Sequence, residues 1–178
     1  MIILAVATLI VIIGLFIFGV VSLISMQAAR KSAAPFFPTP ADGIRKALRA
    51  ADIKPGEIFY DLGAGNGKAL LIAEKEFGAR ATGFEISIPL YLIAKINLFA
   101  RGSRSKMLFK NLWNERLSDA DVLFVFLAER TMPKIAAKLK AELKPGARFV
   151  TYAFRIPGLT PEQVINVHGA WNLFVYKN

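Results

Sequence analysis

Hydrophobic positions divide the chain into two regimes. From residue 2 to residue 26 there is no charge and no proline, and only Thr8, Gly14, Gly19, Ser22 and Ser25 stand out as small or hydroxylated positions. As a helix this stretch reaches roughly 37 Å, whereas a bilayer core needs about 30 Å. It therefore predicts one transmembrane helix, slightly tilted. Residues 30–40 are basic and then rich in Pro, Ala and Phe, and Pro35, Pro38 and Pro40 forbid a regular helix. An extended connector is expected there, with Phe36 and Phe37 at the membrane interface or on the surface of the domain beyond it. The boundaries read as a transmembrane helix over 1–29, a connector over 30–40 and a folded domain over 41–178.

Within the domain, period-3.6 and strand-like segments alternate. Ile44, Ala47 and Leu48, with Arg45, Lys46 and Arg49 between them, mark an amphipathic helix over 41–51. Strands are expected at 58–62, 81–85, 106–109, 122–127 and 148–154. Helices are expected at 68–77, 89–100 and 132–143, with Pro89 suited to a first turn. The 122–127 run is wholly apolar, the mark of a strand covered on both faces. Residues 164–176 read as two strands around a turn near Gly169-Ala170. The order predicts an α/β domain with a mostly parallel sheet, helices on both faces and a closing antiparallel hairpin.

Composition adjusts this picture in two ways. The net charge is +10, yet no charged residue precedes Arg30, so all of the excess sits outside the apolar segment. A basic domain beside a bilayer is drawn to anionic headgroups; acidic proteins and nucleic acid are attracted by the same sign of charge. Nucleic acid is disfavoured as a partner, because aromatic residues interleaved with Lys or Arg are not conspicuous. Arg30 and Lys31 follow the apolar run directly, so the positive-inside rule places the domain in the cytoplasm of a single-pass membrane protein. The competing reading, a cleaved signal peptide, lacks its basic leader. With no cysteine, disulfides, Cys-rich zinc sites and thiol catalysis are excluded, and no metal is expected.

The candidate chemistry begins at Asp61-Leu62-Gly63-Ala64-Gly65-Asn66-Gly67, between a strand and a helix. Glycines there permit a sharp turn and close approach of a ligand to the backbone, and the helix beyond offers free N–H groups. A phosphate-binding P-loop would need a hydroxyl where Ala69 stands. A dinucleotide fingerprint would need glycine where Lys68 stands. Asp61 at the strand end would repel pyrophosphate but suits a ligand bearing an ammonium group, as in the amino-acid tail of S-adenosylmethionine. Glu85 ends the second strand, where an acid can accept hydrogen bonds from both ribose hydroxyls. The plainer alternative makes Asp61 a loop cap and Glu85 a solvated strand end.

These motifs resemble the class I, Rossmann-like S-adenosylmethionine-dependent methyltransferases. The likeness runs from about Pro38 to Pro157. It is carried by Pro38-Thr39-Pro40, by the run from Tyr60 to Lys68, by Gly83 to Ser87 and by Asn111-Leu112-Trp113. The order is most similar to the small membrane-anchored protein-lysine methyltransferases of the FAM173 type and their bacterial relatives, which methylate lysines of membrane-embedded proteins. The resemblance implies S-adenosylmethionine as cofactor and a membrane-protein substrate. It also implies that Asp61, Gly63 and Gly65 hold the amino-acid end, Glu85 the ribose and Thr39 the methionine carboxylate. Asn111 falls where many relatives carry Asp for the adenine amino group, and Leu112 and Trp113 line the adenine pocket. Acceptor-side candidates are Leu127, Ala128, Glu129 and Arg130 after the fourth strand, with Phe154 and Arg155 after the fifth. Glu129 is the candidate to orient an ammonium or take its proton; its alternative is a charge at a helix N-terminus. His168, the single histidine, is expected to be structural. Two other readings stay open: a lipid or hydrophobic small-molecule methyltransferase, and a non-catalytic cofactor-binding membrane protein.

Overall fold

The computed structural model describes residues 1–32, 37–168 and 171–178, with the backbone alone for 29–32 and 168. Pro35 and Phe36 of the expected connector and the expected Gly169-Ala170 turn lie outside the described residues, as does the side chain of His168. Helix α1 (Ile2–Ser32) continues through the first connector positions. Its stretch Ile2–Ala28 is long and apolar enough to cross a membrane.

Helix α2 (Ala41–Ala50) buries Ile44, Ala47 and Leu48, the stripe its periodicity marks. There follow β1 (Ile58–Leu62), α3 (Lys68–Phe77), β2 (Arg80–Glu85), α4 (Ile88–Ala100) and β3 (Lys106–Phe109). Then come β4 (Val122–Val125), α5 (Met132–Glu142), β5 (Arg148–Tyr152), β6 (Gln163–His168) and β7 (Trp171–Lys177). The seven strands form one sheet in the order β3-β2-β1-β4-β5-β7-β6. Pairing is parallel from β3 to β5, and β7 runs antiparallel to both β5 and β6. This is the mostly parallel sheet with a closing antiparallel hairpin that the pattern predicts.

Alternation along β4 assigns its residues to two apolar layers. Val122 and Phe124 join Phe59, Ile44 and Leu70 on the face covered by α2, α3 and α4. Leu123 and Val125 join Ile135, Leu139 and Phe149 under α5. Each such side chain, removed from water, contributes about 1.5–3 kcal/mol.

Two strands end earlier than the apolar runs suggest. β4 loses its β1 partner after the Leu62–Val125 pair, because β1 turns into the glycine loop at Gly63. Phe126 and Leu127 are thereby released from the ladder and turned toward the space above it. β5 stops at Tyr152 because Ala153 adopts φ +74°, a left-handed conformation unusual for a residue with a Cβ.

Candidate functional site

The order of the sheet reverses between β1 and β4, and the chain leaves both strands at their carboxyl ends. Crevices at such positions are where open α/β sheets hold ligands. Here the crevice is a cleft of about 380 Å³, within the range of small-molecule sites. Asp61, Gly63, Gly65, Glu85, Asn111, Leu112 and Thr39 all line it. Segments far apart in the chain thus meet around one space.

The glycine loop is held by β2: the N–H groups of Gly63 and Ala64 both donate to the Phe84 carbonyl, at 3.1 and 3.0 Å. Gly63 has φ +86°, and a Cβ there would lie 2.9 Å from Leu127 Cδ2. Only glycine meets both demands without cost. Glu85 then closes the loop from the side. Its Oε2 accepts from the Gly65 N–H at 3.0 Å, and its Oε1 accepts from the N–H groups of Ile86 (2.9 Å) and Ser87 (2.8 Å). One carboxylate therefore fixes the glycine loop against the start of α4 while still facing the cleft. Burial pushes its pKa up, and the three backbone hydrogen bonds work against that shift.

Asp61 is 5% exposed. Burial first, and the neighbouring Glu85 charge second, push its carboxyl up to about 8. Among the described residues no lysine or arginine forms an ion pair with it. Two lysines line the cleft, and both are engaged elsewhere: Lys68 donates through Nζ to the Thr39 carbonyl at 2.9 Å, fastening the Thr39 segment to the head of α3, and Lys110 pairs with Glu115 at 2.8 Å. A buried acid without a cation beside it is a counter-charge awaiting a positively charged ligand group. The donor set fits the cationic amino-acid tail, ribose and flat base of S-adenosylmethionine: acids at two strand tips, an open glycine loop, and Leu112 with Phe84 as apolar walls.

The remaining sequence candidates separate. Asn111 reaches the cleft, but its side-chain oxygen accepts the Trp113 N–H at 3.2 Å and so caps the short 3-10 turn Leu112–Asn114. One lone pair is left for an incoming donor. Trp113 lies outside the lining, with the Lys134 ammonium 4.1 Å above its ring. Leu127 lines the cleft, whereas Ala128, Glu129 and Arg130 do not, and Glu129 is exposed at the start of the short turn leading into α5. Phe154 and Arg155 also stand outside the lining. The Phe154 carbonyl accepts from the Thr151 hydroxyl at 2.6 Å, and the Arg155 guanidinium stacks over Phe174 at 4.9 Å.

Other parts of the cleft wall are not evident from the sequence. Ser87 lines it, a residue 1% exposed whose buried Oγ has no hydrogen-bond partner among the described residues. Its place two residues after Glu85 is the available signal. Met26 and Phe37 also line the cleft, bringing the end of α1 and the connector to its mouth. Ser22 and Ser25, polar positions late in the apolar run, are the available signal. Phe126 forms a further wall, tilted against Tyr152 at 4.9 Å and edge-on to Trp171 at 6.0 Å.

Known proteins bear on this geometry. The family model of the ANTKMT methyltransferase domain matches residues 61–163. The chain is similar to a protein-lysine N-methyltransferase of Saccharolobus islandicus, 35% identical over 146 residues that cover 80% of this chain and 91% of that protein. It is also similar to the mouse adenine nucleotide translocase lysine N-methyltransferase, 30% identical over 74% of this chain and spanning 58% of the mouse protein. The fold superposes with TM-score 0.76 on an RNA methyltransferase of Salinibacter ruber solved with S-adenosyl-L-homocysteine. That pair is 26% identical, over 79% of this chain and 93% of that one.

Proposed function

The chain belongs to the ANTKMT methyltransferase family and takes S-adenosylmethionine as cofactor, and from that premise we propose that it methylates a lysine of a membrane or membrane-associated protein while anchored by α1. The observation that carries the catalytic part is the meeting of two buried acids, Asp61 and Glu85, over one glycine loop. The lysine acceptor rests on the two relatives, each named for lysine N-methylation. The division into an anchor, a connector and a domain from residue 41, with the domain on the cytoplasmic side, belongs to the same proposal.

In this reading the cofactor supplies a methyl group on a sulfonium, a good leaving group. The residues of the chain bind and position. Ionised Asp61 pairs with the ammonium of the amino-acid tail, Gly63 and Gly65 leave room for that tail to lie against the backbone, and Thr39 meets its carboxylate end. Glu85 accepts from the ribose hydroxyls. Asn111 and Leu112 meet the base. The acceptor comes in beside Phe126 and Leu127. A lysine must be neutral to attack, and losing its proton at pH 7 costs about 4–5 kcal/mol from a pKa near 10.4. The apolar wall of Phe124, Phe126 and Leu127 lowers that cost by disfavouring the charged amine. Holding the amine in line with the transferring group contributes up to about 7–11 kcal/mol more. Glu129, exposed at the head of α5, is kept as a residue that orients the incoming ammonium from outside the cleft.

The test uses the full chain with isotopically labelled cofactor and membranes from its own cells. Label recovered as methyl-lysine after hydrolysis of the protein fraction is the expected result. Label confined to the lipid extract or to RNA would replace the acceptor, and cofactor binding without transfer to any fraction would remove the enzymatic reading.

A further inference from the structure

Helix α4 is mostly apolar, yet only Ala94 and Leu98 are fully buried. Leu92, Ile93, Ile96 and Phe99 are 39%, 46%, 66% and 87% exposed. Their spacing puts them along one stripe of the helix. Single exposed apolar side chains are ordinary; a contiguous stripe of them marks an interaction surface.

The attachment of α4 indicates what covers the stripe. The N–H of Ile88, its first residue, donates to Ser25 Oγ of α1 at 3.1 Å. One turn earlier Ser22 is 8% exposed, although the aliphatic residues around it are open. The serines of α1 are thus turned to the domain and its large apolar side chains outward. Ser25 lies near the end of a stretch of 27 residues, about 40 Å as a helix against about 30 Å of hydrocarbon. The contact with α4 therefore falls at the level of the headgroups. Lys95 on α4, with Arg104 and Lys106 just beyond it, is exposed, and none of the three is in an ion pair among the described residues. An apolar stripe edged by such cations is the composition of a helix that lies in an anionic bilayer surface.

We propose that the outer face of α4 rests in the headgroup–acyl boundary of the bilayer, so that α1 and α4 together hold the cofactor cleft at the membrane surface. This rests on the reading of α1 as a span. It adds that the domain is not swinging free on a tether: the cleft, with Met26 and Phe37 at its mouth, faces acceptors presented at headgroup height.

The chain has no cysteine, so single labelling sites are available. Ile96→Cys, Phe99→Cys, Ile12→Cys and Ser118→Cys would each be made in the full chain and labelled with an environment-sensitive fluorophore. Each would then be placed singly in nanodiscs containing anionic lipid, with or without nitroxide-bearing acyl chains. All four positions are exposed in the structure, so none removes a core contact. Loss of fluorescence to the lipid nitroxide at positions 12, 96 and 99, but not at 118, is the expected result. Quenching at 12 with none at 96 and 99 overturns the α4 surface and leaves the anchor standing. No quenching at 12 overturns the anchor, and this proposal with it. Protection at 96 and 99 only when two copies share a disc assigns the stripe to a second chain and overturns the lipid assignment.

Discussion

Asp61 sets a conflict between folding and binding that pH reveals. In the ligand-free protein its carboxyl titrates near 8 because burial and Glu85 oppose its charge. Between the ordinary value of 3.8 and about 8, the native state keeps a proton that the unfolded chain has released. Stability from this group is therefore full at low pH and is lost as pH rises through that window; Glu85 is shifted in the same direction. The melting temperature of the ligand-free protein in mild detergent is expected to fall from pH 5 to pH 8.5. Asp61→Asn should flatten the slope, leaving the share due to Glu85, and should reduce cofactor binding by calorimetry below detection. A slope unchanged by Asp61→Asn would separate this carboxylate from the pH response. Ala153 is the second residue with a measurable conflict. A left-handed alanine costs on the order of 1–2 kcal/mol, so Ala153→Gly relieves strain while adding about 0.5–1 kcal/mol of chain entropy to the unfolded state. The two nearly cancel. Ala153→Gly should leave urea stability within about 0.5 kcal/mol of wild type, whereas Ala153→Val should destabilise by more than about 1 kcal/mol.

At the level of elements, small contacts decide where the glycine loop sits. Gly83 in β2 is the position on which the loop closes: a Cβ there would be 2.5 Å from Ala64 Cβ and 2.9 Å from Leu70 Cδ1. Gly83→Ala must push the loop or α3 away. The expected cost is about 1–3 kcal/mol of stability, together with weaker cofactor binding; full affinity in this variant would show that the loop has room to move. The other end of α3 is fastened to the approach to β3 by Glu74. Burial alone would raise its pKa. The Arg104 N–H (2.9 Å), the Ser103 hydroxyl, and the Ser105 hydroxyl (2.6 Å) and N–H (2.9 Å) instead hold it at about 2. Its contribution is present above the ordinary glutamate pKa of 4.5 and is lost as pH falls through about 2. Glu74→Ala should cost about 1–2 kcal/mol, and amide exchange at 103–105 should accelerate. The periodicity of the sequence foretold every one of these elements, because β4 and α2 carry their burial in their patterns. It could not foretell the ends of β4 and β5. Those depend on when a neighbouring strand stops pairing and on the backbone angle of one alanine, and neither is written in a hydrophobic period.

Across the whole molecule, what was legible at the site was its acid and glycine framework. Asp61, the glycine loop and Glu85 are local signals, each readable next to the strand that presents it. The hydrogen bond from the Gly65 N–H to Glu85, the Lys68–Thr39 tether and the arrival of Met26 and Phe37 at the cleft are products of tertiary packing between distant segments. They leave no mark at a single position. Glu129 shows the same dependence on packing: its place after the fourth strand is local, whereas its exposed position outside the cleft lining follows from how the chain enters α5. Long-range closure is also visible at Tyr176. Its ring stacks on Phe149 at 4.8 Å, and its hydroxyl accepts the Ile156 N–H at 3.0 Å, fixing the segment after β5. Tyr176→Phe removes that acceptor from a buried donor and should lower stability by about 1–3 kcal/mol, read from urea unfolding.

The position of β7 has a consequence for biogenesis. The strand that comes last in chain order is inserted between β5 and β6, so β6, made earlier, has nowhere to dock until its successor leaves the ribosome tunnel. Through that interval the nascent domain holds the edge of β5 bare. The insertion that completes the sheet is therefore lateral: β7 enters between two strands and pairs with both.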